Sequence, residues 1–201
     1  MTGLRRIPIL PQRLPQTQTA IEFAARAHAG QHRGDGTSFI MHPLEVASLL
    51  YYAGAADYLV AAGVLHDVVE KADVAVAELR ERFGPRVTSL VLAVSDDDRI
   101  VDYEPRKAAL RRQLSGAGED ALTLFAADKL SKLRELRRET AADSPDSVTP
   151  GRVRKLRARR LTHYRRSLAL LEERIPTSPL VRDLRDELNA LLRDRDLAAT
   201  L

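Results

Sequence analysis

The sequence predicts an all-α fold, a bundle of about eight to ten helices. Three observations predict it. No segment alternates apolar and polar residues over more than about four positions, so no strand of ordinary length is indicated. Aromatic residues make up only 4% of the chain and Trp is absent, although hydrophobic content is 44%; the core must be Leu, Val and Ala, a composition that suits helices better than a β-sandwich. Capping residues, Gly and Pro recur at intervals that punctuate helices, and no heptad persists, which excludes a coiled coil.

Taken in order, Pro8, Pro11 and Pro15 predict an extended arm over 1–15. Thr17 or Thr19 caps a helix to about Ala29, ended by Gly30. The stretch GQHRGDGTSF is a loop whose glycines let the backbone approach a ligand. His42-Pro43 opens a second helix to about Ala53, and Ala56–Lys71 is a third. Asp73 caps a fourth, Val74–Phe83, stopped by Gly84. Pro85 starts a fifth, to about Val94. A loop follows, then helices at about Arg106–Leu114 and Glu119–Arg138. A polar loop over 140–151 precedes helices at about 152–174 and 178–194. At 201 residues one domain over 16–201 is expected, with a core at 19–138 and C-terminal helices at 152–194.

Composition excludes some chemistry. There is no Cys, so disulfides and thiolate zinc sites are ruled out and any metal must be held by His and carboxylates. No apolar run approaches the roughly 20 residues that cross a bilayer, and the N-terminus does not read as a signal peptide. A cytoplasmic protein is expected. The net charge of +4 is compatible with phosphates or other acidic small molecules.

The most informative stretch is AAGVLHDVVEK, Ala61–Lys71. Its lead-in is apolar nearly all round, so a buried helix is expected. On a helix, Glu70 lies near both His66 and Asp67. An imidazole and two carboxylates are not buried without partners. A bound cation satisfies them together; the alternative is a hydrogen-bonded core histidine beside a capping carboxylate. Asp128 repeats the anomaly, a carboxylate following the apolar run Leu122–Ala127. His42, His66, Asp67 and Asp128 make a mixed N/O set suited to Mn²⁺, Fe²⁺ or a similar ion with positions left for water and substrate.

The order His…His-Asp…Asp on helices resembles the HD phosphohydrolase superfamily. More narrowly, the chain resembles the alarmone hydrolase domain of the RelA/SpoT family and its small stand-alone relatives. The resemblance rests on Gly30-Gln31-His32-Arg33, Gly36, Phe39-Ile40-Met41-His42-Pro43, Val64-Leu65-His66-Asp67-Val68-Val69-Glu70, Phe83-Gly84, Val87, Phe125-Ala126-Ala127-Asp128-Lys129-Leu130 and Arg134, over about residues 19–138. It implies Mn²⁺ held by His42, His66, Asp67 and Asp128, and removal of the 3′-pyrophosphate from (p)ppGpp. It implies that Glu70, with Asp67, manages the attacking water. It implies a substrate-binding surface with Arg33 at the guanine and Arg134 near phosphates or ribose, to which we add Lys71, Lys129 and Lys132. With no synthetase domain following, a stand-alone hydrolase acting on a phosphorylated nucleotide is expected.

The chain departs from the family pattern. Lys71 stands where the second acidic residue of the Glu-Asp pair belongs, Lys132 where an Asn is usual, and Gly34 where Lys is common. Lys71 and Lys132 bind substrate phosphate, or pair with the metal carboxylates in a decayed enzyme, or face solvent. The alternatives in function are a phosphatase for another 2′- or 3′-phosphorylated nucleotide, including NADPH, or an inactive nucleotide sensor. His28 and His32 are four apart but lack the Glu of a zincin motif. His163 reads as a surface residue and Asp96-Asp97-Asp98 as a solvated loop. Residues 152–166 carry eight Arg or Lys, read as one basic solvated face and one apolar face of Val153, Leu156, Leu161, Tyr164 and Leu168, so nucleic acid is not an expected partner.

Overall fold

The computed structural model describes residues 14–141 and 151–200. The expected arm lies almost wholly outside the described residues, as does most of the loop at 140–151. Nine helices and no strand occur among the described residues, so the all-α expectation holds. The chain divides into two compact units, meeting in sequence between Ser95 and Asp96.

In the first unit, α1 (Pro15–Ala27) starts with Pro in its first turn. It is not capped by Thr17 or Thr19. The Asp57 carboxylate, from another helix, accepts from the backbone N–H of Gln16 (3.0 Å) and Thr17 (2.9 Å) and from the Thr17 hydroxyl (2.6 Å). This satisfies donors that a helix start leaves open, and draws Thr17 into the core. α2 spans Met41–Tyr52. α3 (Asp57–Leu65) is the central helix, packed against α1, α2 and α5, with every residue from Leu59 to Leu65 buried. Gly63 permits that packing: a Cβ there would lie 2.6 Å from Leu50 Cδ1.

The expected single helix Ala56–Lys71 is two. α3 stops at Leu65 and α4 covers Val68–Ala72, with His66 and Asp67 in a turn between them. The reason is local. His66 Nδ1 lies 2.8 Å from the carbonyl of Gly63, the group that would accept from the Asp67 N–H in a continued helix. Asp73, expected to start the next helix, instead ends α4 in the left-handed conformation (φ 53°). α5 runs from Val76 to Val94, and Gly84 (φ 79°, ψ 170°) with Pro85 kinks it where two helices were expected.

The second unit holds α6 (Tyr103–Ser115), α7 (Glu119–Ala141), α8 (Gly151–Arg174) and α9 (Pro179–Thr200). α7 packs against α8 and α9, and α8 also against α6. Leu122, Leu124–Ala127, Leu130, Leu133 and Leu136 of α7 and Leu161, Tyr164, Leu168 and Leu171 of α8 are buried. The apolar face expected on α8 is shorter than its sequence pattern. Leu156 is 51% exposed and Val153 36%, so burial begins at Leu161. His163 is buried, not superficial, at 2% exposure. The acidic loop is neutralised by neighbours: Asp97 accepts from Arg99, and Asp96 from Lys107 at 2.5 Å.

Candidate metal centre

The first unit brings three of the expected ligands together. His42 sits in the first turn of α2, and His66 and Asp67 form the α3–α4 turn; each is 3% exposed. The two Nε2 atoms are 3.2 Å apart, and Asp67 Oδ2 is 3.6 Å from that of His42 and 3.4 Å from that of His66. Donors about 2.1 Å from an ion and roughly 90–115° apart would lie about 3.0–3.5 Å from one another, so this triangle has the dimensions of three ligands on one cation. A carbonyl oxygen only accepts, so His66 Nδ1 carries the proton and its Nε2 presents a bare lone pair to the centre. The helix break therefore sets the tautomer a metal ligand needs.

Glu70, half-buried on α4, has Lys71 Nζ 3.8 Å from its carboxylate, and the Lys71 side chain is half exposed. Arg33 lies in a small hairpin. Its N–H donates to Thr37 (2.8 Å), Phe39 N–H donates to the Gln31 carbonyl (2.9 Å), and His32 pairs with Ser38. His42 N–H in turn donates to the Phe39 carbonyl (3.1 Å). Gln31 ties the hairpin to α4: its amide donates to the Lys71 carbonyl (2.7 Å), while buried His28 Nδ1 lies 2.9 Å from its Oε1. Because Gln31 Oε1 and Nε2 are both engaged, the amide is held in one orientation. The tether Gln31 makes joins positions 40 residues apart, which no local sequence pattern reveals. His32 is exposed.

In the second unit Asp128 is buried between two ammonium groups. Lys129 Nζ is 2.6 Å from Oδ2 and Lys132 Nζ is 2.9 Å from Oδ1. Lys132 thus takes the carboxylate-pairing arrangement among the three considered for it. Burial lowers Lys129 to about 8, although Asp128 beside it favours the charged form. Arg134 is directed to α9, its Nε 3.9 Å from Glu187. Each carboxylate oxygen has further lone pairs, so Asp128 keeps acceptor capacity beyond its two lysines. By donor chemistry, the Asp128 carboxylate is, like the two imidazoles of the first unit, a group that can ligate a metal ion.

Residues 20–149 match the HD-domain family. The chain belongs to that family. Among HD-domain relatives, it is 40% identical over 129 residues to human guanosine-3′,5′-bis(diphosphate) 3′-pyrophosphohydrolase MESH1, covering 62% of this chain and 72% of that one. It is 34% identical over 128 residues to the guanosine-3′,5′-bis(diphosphate) 3′-pyrophosphohydrolase of Aquifex aeolicus, covering 63% of this chain but only 18% of that much longer protein. A solved structure described as a metazoan orthologue of SpoT that hydrolyses ppGpp superposes with a TM-score of 0.72 at 23% identity, covering 93% of this chain and 98% of the other. At that identity the likeness is one of fold. No helix among the described residues is long and apolar enough to cross a membrane.

Proposed function

We propose that this protein is a metal-dependent phosphohydrolase that removes the 3′-pyrophosphate from guanosine alarmones, (p)ppGpp, releasing GDP or GTP and pyrophosphate. The observation that carries the reading is the triangle of His42 Nε2, His66 Nε2 and Asp67 Oδ2, 3.2 to 3.6 Å on a side. It occurs in a chain 40% identical to a protein named for that reaction.

His42, His66 and Asp67 would hold one divalent ion, with Asp128 as the proposed further ligand; the ion would be Mn²⁺ in the first instance and Fe²⁺ or another transition metal otherwise. When bound, such an ion polarises a phosphoryl oxygen and lowers the pKa of a coordinated water. Glu70, one turn beyond Asp67, takes the proton of the attacking water, and Asp67 orients it. A bond forms from the water oxygen to the phosphorus attached to the 3′ oxygen. The bond from that phosphorus to the 3′ oxygen breaks, pyrophosphate departs, and the 3′ oxygen is protonated. Arg33 in its hairpin borders the base. Lys129, Lys132 and Lys71 receive phosphate oxygens, with Arg134 at the phosphates or ribose. The protein works in the cytoplasm, which the absence of Cys supports.

The test is incubation of the Mn²⁺-loaded protein with ppGpp alongside a panel of 2′- and 3′-phosphorylated nucleotides that includes NADPH. Release of GDP and pyrophosphate is expected. Turnover of another panel member alone would overturn the substrate assignment. A second reading, an inactive nucleotide sensor, is favoured by the two lysines on Asp128. It requires substoichiometric metal and binding of nucleotide without turnover.

A further inference from the structure

His163 of α8 is a buried donor that no described group receives. Arg111 NH1 lies 2.7 Å from its Nδ1, and Ser167 Oγ 3.4 Å. A guanidinium only donates, so Nδ1 is the acceptor and the ring proton is on Nε2. That Nε2 has no hydrogen-bond partner among the described residues, and the residue is 2% exposed. A buried donor left unmatched destabilises a fold, so its retention points to an acceptor brought from outside the chain.

The surroundings define that acceptor. The ring lies among Tyr103, Phe125 and Tyr164, at centroid distances of 6.4, 6.5 and 5.8 Å. Lys129 Nζ sits 4.6 Å from the centroid of the same Phe125, and Lys107 Nζ 5.8 Å from that of Tyr103. The charged groups that act on the ring are Lys129, Lys107 and Arg111, against the single carboxylate Asp128. Asp128 already accepts from Lys129 and is ion-paired with Lys132. Burial first, and these cations after it, hold the imidazole well below its ordinary range, so it stays neutral and keeps one fixed N–H. Three cations against one carboxylate make the surroundings favour an anionic acceptor.

We propose that His163 is a specificity-determining residue that donates its Nε2–H to a phosphate oxygen of the substrate, with Arg111 as the positioning residue that fixes its tautomer. The inference rests on the phosphohydrolase reading for the identity of the substrate, but the anion subsite stands in the second unit on its own residues. It adds a neutral donor beside Lys129, Lys107 and Arg111. A neutral donor reads the direction of an acceptor as well as its charge, and so separates a phosphate placed at this point from any other anion.

The test uses the full chain labelled with ¹⁵N-histidine, with Mg²⁺ present. His163→Gln identifies the His163 resonances. A protonated Nε2 and a bare Nδ1 are expected, and titration with inorganic pyrophosphate should shift the Nε2–H. In turnover of ppGpp, His163→Phe should raise KM about tenfold with kcat changed less than about twofold, and His163→Gln, which retains an N–H donor, should recover most of that loss. A proton on Nδ1, or an Nε2–H indifferent to pyrophosphate, overturns the inference. So does an unchanged KM in His163→Phe. If His163→Phe does not fold, the titration of the wild-type chain still decides. If the wild-type chain leaves ppGpp intact, the alarmone reading falls while the pyrophosphate titration continues to test the subsite.

Discussion

The His66–Asp67 turn and the Asp128 helix each bury a carboxylate, and they neutralise it in opposite ways. Asp67 Oδ2 faces two imidazole nitrogens, one of them a bare lone pair. Such a cluster is short of positive charge and is satisfied by a cation. Asp128 has its cations built in, as Lys129 and Lys132. The first cluster is thus suited to receiving a cation from outside the chain, whereas the second carboxylate is already paired within it. On the proposed reading, in which Asp128 is also a ligand, its two lysines would compete with the ion for its charge.

The comparison breaks most completely at His66. His66→Ala should lower hydrolysis of ppGpp by about a thousandfold or more and abolish stoichiometric metal, measured by turnover and metal analysis; a smaller loss would mean the first cluster is not what receives the cation. Gly63→Ala comes next. It pushes a methyl against Leu50 in a buried helix contact and should destabilise the chain by about 1–3 kcal/mol in denaturant unfolding. A neutral result would show that the turn carrying His66 is not held by tight packing.

Acid sharpens the second half of the comparison. The folded state holds His163 below its ordinary 6.5, so below that pH the unfolded chain takes up a proton that the folded chain refuses. Its contribution is present above pH 6.5 and is lost as pH falls, by up to about 1.4 kcal/mol per pH unit. Thermal midpoints of chelator-treated protein should show this, and His163→Gln should flatten the slope. The smallest effect is expected from Lys132→Gln. It removes one half-exposed ammonium from Asp128 and should tighten metal binding about fivefold by calorimetry. Weaker binding would mean that Lys132 supports the site instead of competing for it.

The clustering of His42, His66 and Asp67 is legible in the sequence because polar residues in an apolar stretch are anomalous wherever they occur, and because their order matches a known one. The form of the turn is not. It depends on an imidazole taking a carbonyl from its own helix, and periodicity over Ala56–Lys71 continues across that point undisturbed. Asp73 differs from its sequence expectation for a related reason: Asp is favoured both at helix starts and in the left-handed conformation that ends a helix, and only the backbone decides between them. The Gly84-Pro85 punctuation was read correctly as an interruption and appears as a kink. His163 was hidden by its neighbours. Residues 152–166 hold so many cations that a solvated face was the natural reading, whereas Ser167, four positions on and also buried, was the clue that the buried stripe was wide enough to include it.

The Gln31 amide has a consequence for how the protein can diverge. It anchors the base of the hairpin to α4, and the Arg33–Thr37 bond closes the rung above, with residues 34–36 forming the tip beyond it. If Arg33 borders the base and Glu70 handles the water as proposed, exchanges at that tip would alter base selection while leaving Glu70 on α4 where it stands. Selectivity in such a scaffold would be free to wander over evolutionary time without a matching change in the chemistry.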